Sequence, residues 1–140
     1  MVSSGKNDFK NKMDRFVKCA KIPIMQERMV FTGCLEISQF VERALDKVGL
    51  QPKSYVGYVD TFEGKRIPHV WVEVDNYVIE TNPSQILGGG VLKAMKRDEW
   101  KKITKPSDII PFKEHPLYRP TSQGERFYGK LAEDTKHCFI

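Results

Sequence analysis

Cys34, His69 and a polar residue at position 80 or 82 are the side chains whose types and order could do covalent chemistry. Thiol chemistry needs a sulfur that can ionise, a base within reach of it, and a third group that holds the base in one tautomer. Cys34 follows Gly33 and opens a run in which Ile37, Phe40, Val41, Ala44, Leu45 and Val48 recur at spacings of three and four. That is the apolar stripe of an amphipathic helix, and Gly49 is its natural stop. A thiol in the first turn of a helix lies at the positive end of the backbone dipole, which favours the thiolate. A cysteine beside an apolar stripe is by itself more often packing than chemistry. Cys34 stands out only if something can face it.

His69 is the residue that can. From Pro68 to Asp75 the chain alternates strictly, with Val70, Val72 and Val74 on one face and His69, Trp71, Glu73 and Asp75 on the other. Asp75-Asn76 reads as a tight hairpin turn, Tyr77 to Asn82 as the returning strand, and Pro83 as its close. Glu80 and Asn82 share one face of that strand and fall opposite or diagonal to His69. Either could accept a hydrogen bond from the imidazole. Glu80 is the first choice, because a carboxylate also stabilises the imidazolium that forms during catalysis. Trp71, on the face of His69, reads as a wall of the site.

Gly33-Cys34-Leu35-Glu36, the helix after it, Tyr55-Val56-Gly57-Tyr58, and His69-Val70-Trp71-Val72-Glu73-Val74 with Glu80-Thr81-Asn82-Pro83 resemble a known family. They look like the transglutaminase-like core of the papain-like cysteine enzymes, over roughly residues 30 to 86. The histidine strand is the most specific part. In that family a cysteine opens the helix, a histidine starts a strand and an aspartate ends the next one. This chain departs at the third position: aligning the strands without gaps puts Glu80 there, and aligning on the proline puts Asn82 there. Gln85 falls where some members carry a glutamine.

The resemblance implies attack of Cys34 on an amide or ester carbonyl of a peptide or protein substrate, with His69 moving the proton and a thioester as intermediate. The oxyanion would meet the Cys34 backbone N–H and a second donor, for which Gln26 is a candidate. Water as acceptor makes a cysteine peptidase or amidase, and an amine as acceptor makes a transferase. A non-catalytic binding module on the same fold is the third reading. None of these calls for a cofactor.

The elements that must position these residues make an α+β chain, with the nucleophile helix packed on a small antiparallel sheet of three strands. A helix over about 6–21, with Phe9, Met13, Phe16, Val17 and Ala20 on one face, precedes the core and ends before Pro23. Cys19, beside that face, reads as structural. Ser54 to Val59 has the composition of a strand, and Phe62 to Lys65 that of a turn. Gly88-Gly89-Gly90 lacks the context of a phosphate-binding loop and reads as a hinge or lid. Val91 to Trp100 reads as a short helix with Leu92, Met95 and Trp100 inward. Pro106, Pro111, Pro116 and Pro120 imply an extended C-terminal wrap over about 104–140, in which Ser122-Gln123-Gly124-Glu125 opens a last short helix.

At 140 residues the chain suits one domain, residues 1–140, with its core at about 24–87. No apolar run is long enough to span a membrane. Three widely spaced cysteines, Cys19, Cys34 and Cys138, argue against a disulfide framework. With no apolar leader in residues 1–8, a cytoplasmic location is expected. The net charge of +5 permits attraction to acidic partners, but the aromatics are not interleaved with a basic stripe, which argues against nucleic acid. His115 and His137 lack the spacing of a metal site and read as surface residues.

Overall fold

The computed structural model describes residues 5–27, 31, 33–116 and 122–139. Expectations for residues 1–4, Thr32, Pro120 and the side chains of residues 122–125, His137 and Cys138 lie outside the described set. The chain runs α1 (Gly5–Gln26), α2 (Cys34–Lys47), β1 (Lys53–Asp60), β2 (Arg66–Val74), β3 (Tyr77–Glu80), α3 (Pro83–Ile86), β4 (Lys93–Lys96), α4 (Arg97–Thr104), β5 (Ser107–Pro111), a 3-10 turn (Phe112–Glu114) and α5 (Ser122–Phe139). It is an α+β arrangement around an antiparallel sheet of order β4-β3-β2-β1-β5.

The middle of the sheet is buried on both faces, which is why β2 reads as a nearly continuous buried run despite its alternation. Val72, Val74, Tyr77 and Ile79 face one way and meet the apolar stripes of α1, α2 and α5, including Met13, Phe16, Phe40, Leu45 and Ala132. Trp71 and Val78 face the other way and meet Val59, Ile86 and Trp100. Each large side chain buried this way stabilises the fold by roughly 1.5–3 kcal/mol relative to exposure. The central helix ends as its sequence suggests: Gly49, at φ +85°, sends its N–H to Asp46 O at 3.0 Å, and Leu50 N–H reaches Leu45 O at 3.2 Å.

Four expectations need correction. The first helix runs through Pro23 to Gln26. Proline removes one hydrogen bond inside a helix, but Ile24 beyond it is buried in the same core cluster as Met13 and Phe16, and Glu27 N–H still bonds Pro23 O at 2.9 Å. Residues 91–100 are not one helix: β4 pairs with β3 from Lys93 to Lys96, and the helix starts at Arg97, with Asp98 and Glu99 in its first turn. The segment from 104 is not simply extended over the surface, because β5 adds a fifth strand at the edge beside β1. An edge tolerates Pro111, whose missing N–H has no ladder to serve. The last helix spans 18 residues and is not short. No helix among the described residues is long and apolar enough to cross a membrane.

Candidate active site

Cys34 is the first residue of α2, after an extended Gly33 that provides no side-chain cap. The first N–H groups of the helix are thus left uncapped by any side chain at the sulfur, where a charged oxygen could meet them. Cys34 and Leu35 pack against the small cluster of Val56, Val70 and Phe112. Val70 follows His69 in β2, so the first turn of α2 is seated on the strand position next to the imidazole. The thiol is half-buried and the imidazole almost fully buried, with 2% of His69 exposed.

On its far side His69 is held by a carboxylate. Its Nε2 lies 2.8 Å from Glu80 Oε2. A carboxylate accepts only, so that nitrogen carries a proton and Nδ1 is left for the sulfur. Burial pushes the His69 pKa down; hydrogen bonds with Cys34 and Glu80 and their charges outweigh it, so the value rises from 6.5 to about 9. The ring is therefore an imidazolium at neutral pH.

Glu80 is completely buried, and a charge in that position must be fully hydrogen-bonded to be tolerated. It is. Besides His69, Oε2 accepts from the backbone N–H of Asn82 at 2.7 Å, and Oε1 accepts from Trp100 Nε1–H at 2.9 Å. Trp71 stacks on the imidazole with ring centroids 6.1 Å apart, donates from Nε1 to Glu73 Oε2 at 3.0 Å and packs against Trp100 at 4.7 Å. The ladder between β2 and β3 stops at Val72 and Ile79. Beyond it, the Thr81 hydroxyl bonds Val70 O at 2.7 Å and keeps the two strands together where His69 and Glu80 meet.

Comparison with protein-family models, with curated proteins and with solved structures found no match. What can be said of the site therefore comes from its own geometry.

Of the residues read from the sequence, Cys34, His69, Glu80 and Trp71 come together. Asn82 does not offer its side chain to His69: at the N-cap position of α3, it donates from Nδ2 to the Gln85 side-chain Oε1 at 3.0 Å and accepts from Ser84 Oγ at 3.1 Å. It reaches the site through its backbone N–H alone. Gln26 is exposed at the last residue of α1. Its neighbours Ile24 and Met25, with Gly33, Ile37, Thr81, Asn82 and Gly90, line a cleft of about 280 Å³ beside the start of α2, and Gln26 does not. Trp100 is the site residue that sequence reasoning missed as a hydrogen-bond donor. The one available signal was its type, since a buried indole N–H must find an acceptor. The described residues hold no group of three His, Cys, Asp or Glu side chains able to bind a metal ion.

Proposed function

We propose that the chain is a cysteine hydrolase that cleaves amide bonds in peptides or proteins, on a transglutaminase-like, papain-like core. The observation that carries this reading is the buried Glu80 carboxylate 2.8 Å from His69 Nε2, on an imidazole whose raised pKa has the Cys34 thiol among its causes. In it, the Cys34 sulfur attacks the carbonyl carbon, and the N–H groups at the start of α2 meet the oxyanion. His69 then gives a proton to the departing amine as the C–N bond breaks, leaving a thioester on Cys34. Water gives a proton to the now neutral imidazole and attacks the thioester carbonyl; the C–S bond breaks, the acid leaves, and the Cys34 sulfur is freed beside the restored imidazolium. Glu80 fixes the ring and offsets its charge throughout. A cytoplasmic setting fits Cys19 and Cys34, both free thiols.

The test is a screen of internally quenched peptides, with Cys34→Ala protein as control and a large excess of a primary amine in parallel reactions. Cleavage by the native protein alone, with release of the free acid, is the expected result. Predominant capture of the amine would make the chain a transferase, and equal traces from native and Cys34→Ala protein would remove the catalytic reading.

A further inference from the structure

Two cavities meet at the glycine loop after α3. The first is the cleft beside Gly33, whose α1 wall is Ile24 and Met25. The second, of about 420 Å³, lies further back along α1 and is lined by Asp14, Val17, Lys18, Lys21, Lys93 and the strand residues beside it. Gly90 lines both, so the two cavities are neighbours along the face between α1 and the segment leading into β4. The near end sets Ile24, Met25 and Ile37 beside Thr81, Asn82 and Ser84, and its wall includes Gly33, the residue before Cys34. The far end is cationic: Lys18, Lys21 and Lys93 have no hydrogen-bond or ion-pair partner among the described residues. The one carboxylate there, Asp14, is already held by Lys10 at 2.8 Å.

The geometry points to a specificity groove for a substrate that carries acidic residues near an apolar one. This inference rests on Cys34 being the nucleophile and names the substrate class of that site. The apolar side chain sits in the cleft beside Gly33, and the carboxylates lie against Lys18, Lys21 and Lys93. The helix sets the spacing. From Met25 back to Lys18 is about 10 Å at 1.5 Å per residue, and an extended peptide covers that in about three residues at roughly 3.3 Å each. The acidic positions therefore lie two to three residues from the one in the cleft. Charge complementarity selects this occupant: a neutral peptide leaves three ammonium groups unmatched, and a basic one is repelled.

The test compares rates of Cys34 alkylation by paired probes. One pair carries the warhead at the C-terminus, acetyl-Glu-Glu-Ala-Leu and acetyl-Gln-Gln-Ala-Leu chloromethyl ketones. The other carries it at the N-terminus, chloroacetyl-Leu-Ala-Glu-Glu and chloroacetyl-Leu-Ala-Gln-Gln amides, because the groove does not reveal which side of the scissile bond it serves. At low ionic strength the glutamate probe of one pair reacts about tenfold faster than its partner, since three exposed charge contacts contribute a factor of roughly two each. The Lys18→Glu/Lys21→Glu/Lys93→Glu variant loses that advantage while its reaction with iodoacetamide stays unchanged. Equal rates within both pairs, with normal iodoacetamide labelling, would overturn the groove and leave the nucleophile standing.

If Cys34 proves inert to every reagent, the nucleophile reading fails on its own. Fluorescence polarisation of a fluorescein-labelled Glu-Glu-Ala-Leu amide on Cys34→Ser protein then judges the groove. Lysine-dependent binding upholds it. Absence of binding, or lysine-dependent binding of a single-stranded oligodeoxynucleotide in place of the peptide, overturns it.

Discussion

Replacing Glu80 by glutamine changes one atom at the centre of the site, and the consequences can be worked out bond by bond. Glu80 receives three donors: His69 Nε2 and Asn82 N–H on Oε2, and Trp100 Nε1–H on Oε1. A glutamine amide has one oxygen and one NH2 group. Whichever way it turns, the NH2 faces a donor. The less costly orientation keeps the oxygen toward His69 and Asn82 and leaves Trp100 without an acceptor. An unsatisfied buried donor costs about 1–3 kcal/mol, and exchanging a charge-assisted bond for a neutral one costs about another 1–2 kcal/mol. The Glu80→Gln protein should therefore be about 2–5 kcal/mol less stable at pH 7, a large share of an ordinary domain's stability.

The same change removes both contributions of Glu80 to the His69 pKa, leaving burial, which lowers it, opposed by Cys34 alone. The pKa of His69 falls, and the imidazolium is lost at a lower pH. Urea unfolding gives the stability, and nuclear magnetic resonance of the His69 ring gives the titration. Asn82→Ala is the matched control, since it keeps the backbone N–H that reaches Glu80. A loss below 1 kcal/mol together with an unmoved His69 titration in Glu80→Gln would refute the reasoning. So would a larger effect on that titration from Asn82→Ala.

Three further outcomes follow from particular contacts. Trp100→Phe keeps a ring against Trp71 but removes the bond to Glu80 Oε1, and urea unfolding should show a loss of about 1–3 kcal/mol. The raised pKa of His69 means that the folded protein holds a proton which the unfolded chain gives up near pH 6.5. Stability from this group is complete below pH 6.5 and gone above about 9, so it should fall by about 2 kcal/mol between pH 7 and 9. A His69→Gln variant should lack that slope in urea titrations. Gly57→Ala would place a methyl group 2.8 Å from Ser107 O and 3.2 Å from the Trp71 ring, so β5 must shift off β1. A loss of about 1–3 kcal/mol is expected by thermal unfolding.

The hairpin carrying His69 and Glu80 was legible because its alternation and its Asp75-Asn76 turn state the register locally. Val74 pairs with Tyr77, and Asp75 takes the positive φ of 52° that a tight turn asks for. The helix behind Cys34 was legible for the same reason, its stripe and its stop lying within one short stretch. The residues that complete the site were not local. Trp100 lies 20 residues after Glu80 and reaches it only because α4 folds over the face opposite α1 and α2. β4 is four residues long, too short for its period to show against the helix that follows. β5 holds Pro111, which argues against a strand anywhere but at an edge. The choice between Glu80 and Asn82 turned on side-chain direction. Asn82 lies two residues beyond the end of β3, at the N-cap position of α3, and its amide bonds the side chains of Ser84 and Gln85.

The central claim, that Cys34 is a nucleophile made reactive by His69, is tested most directly by its rate of reaction with iodoacetamide at pH 7, read by mass spectrometry of the Cys34 peptide. A helix start and a neighbouring imidazole are both settings that activate a thiol, so a gain of roughly tenfold is expected. Cys34 in the native protein should react about that much faster than in the urea-unfolded chain, and faster than Cys19, with His69→Ala abolishing the gain. Native and unfolded rates that agree, or a gain that survives His69→Ala, would contradict the account.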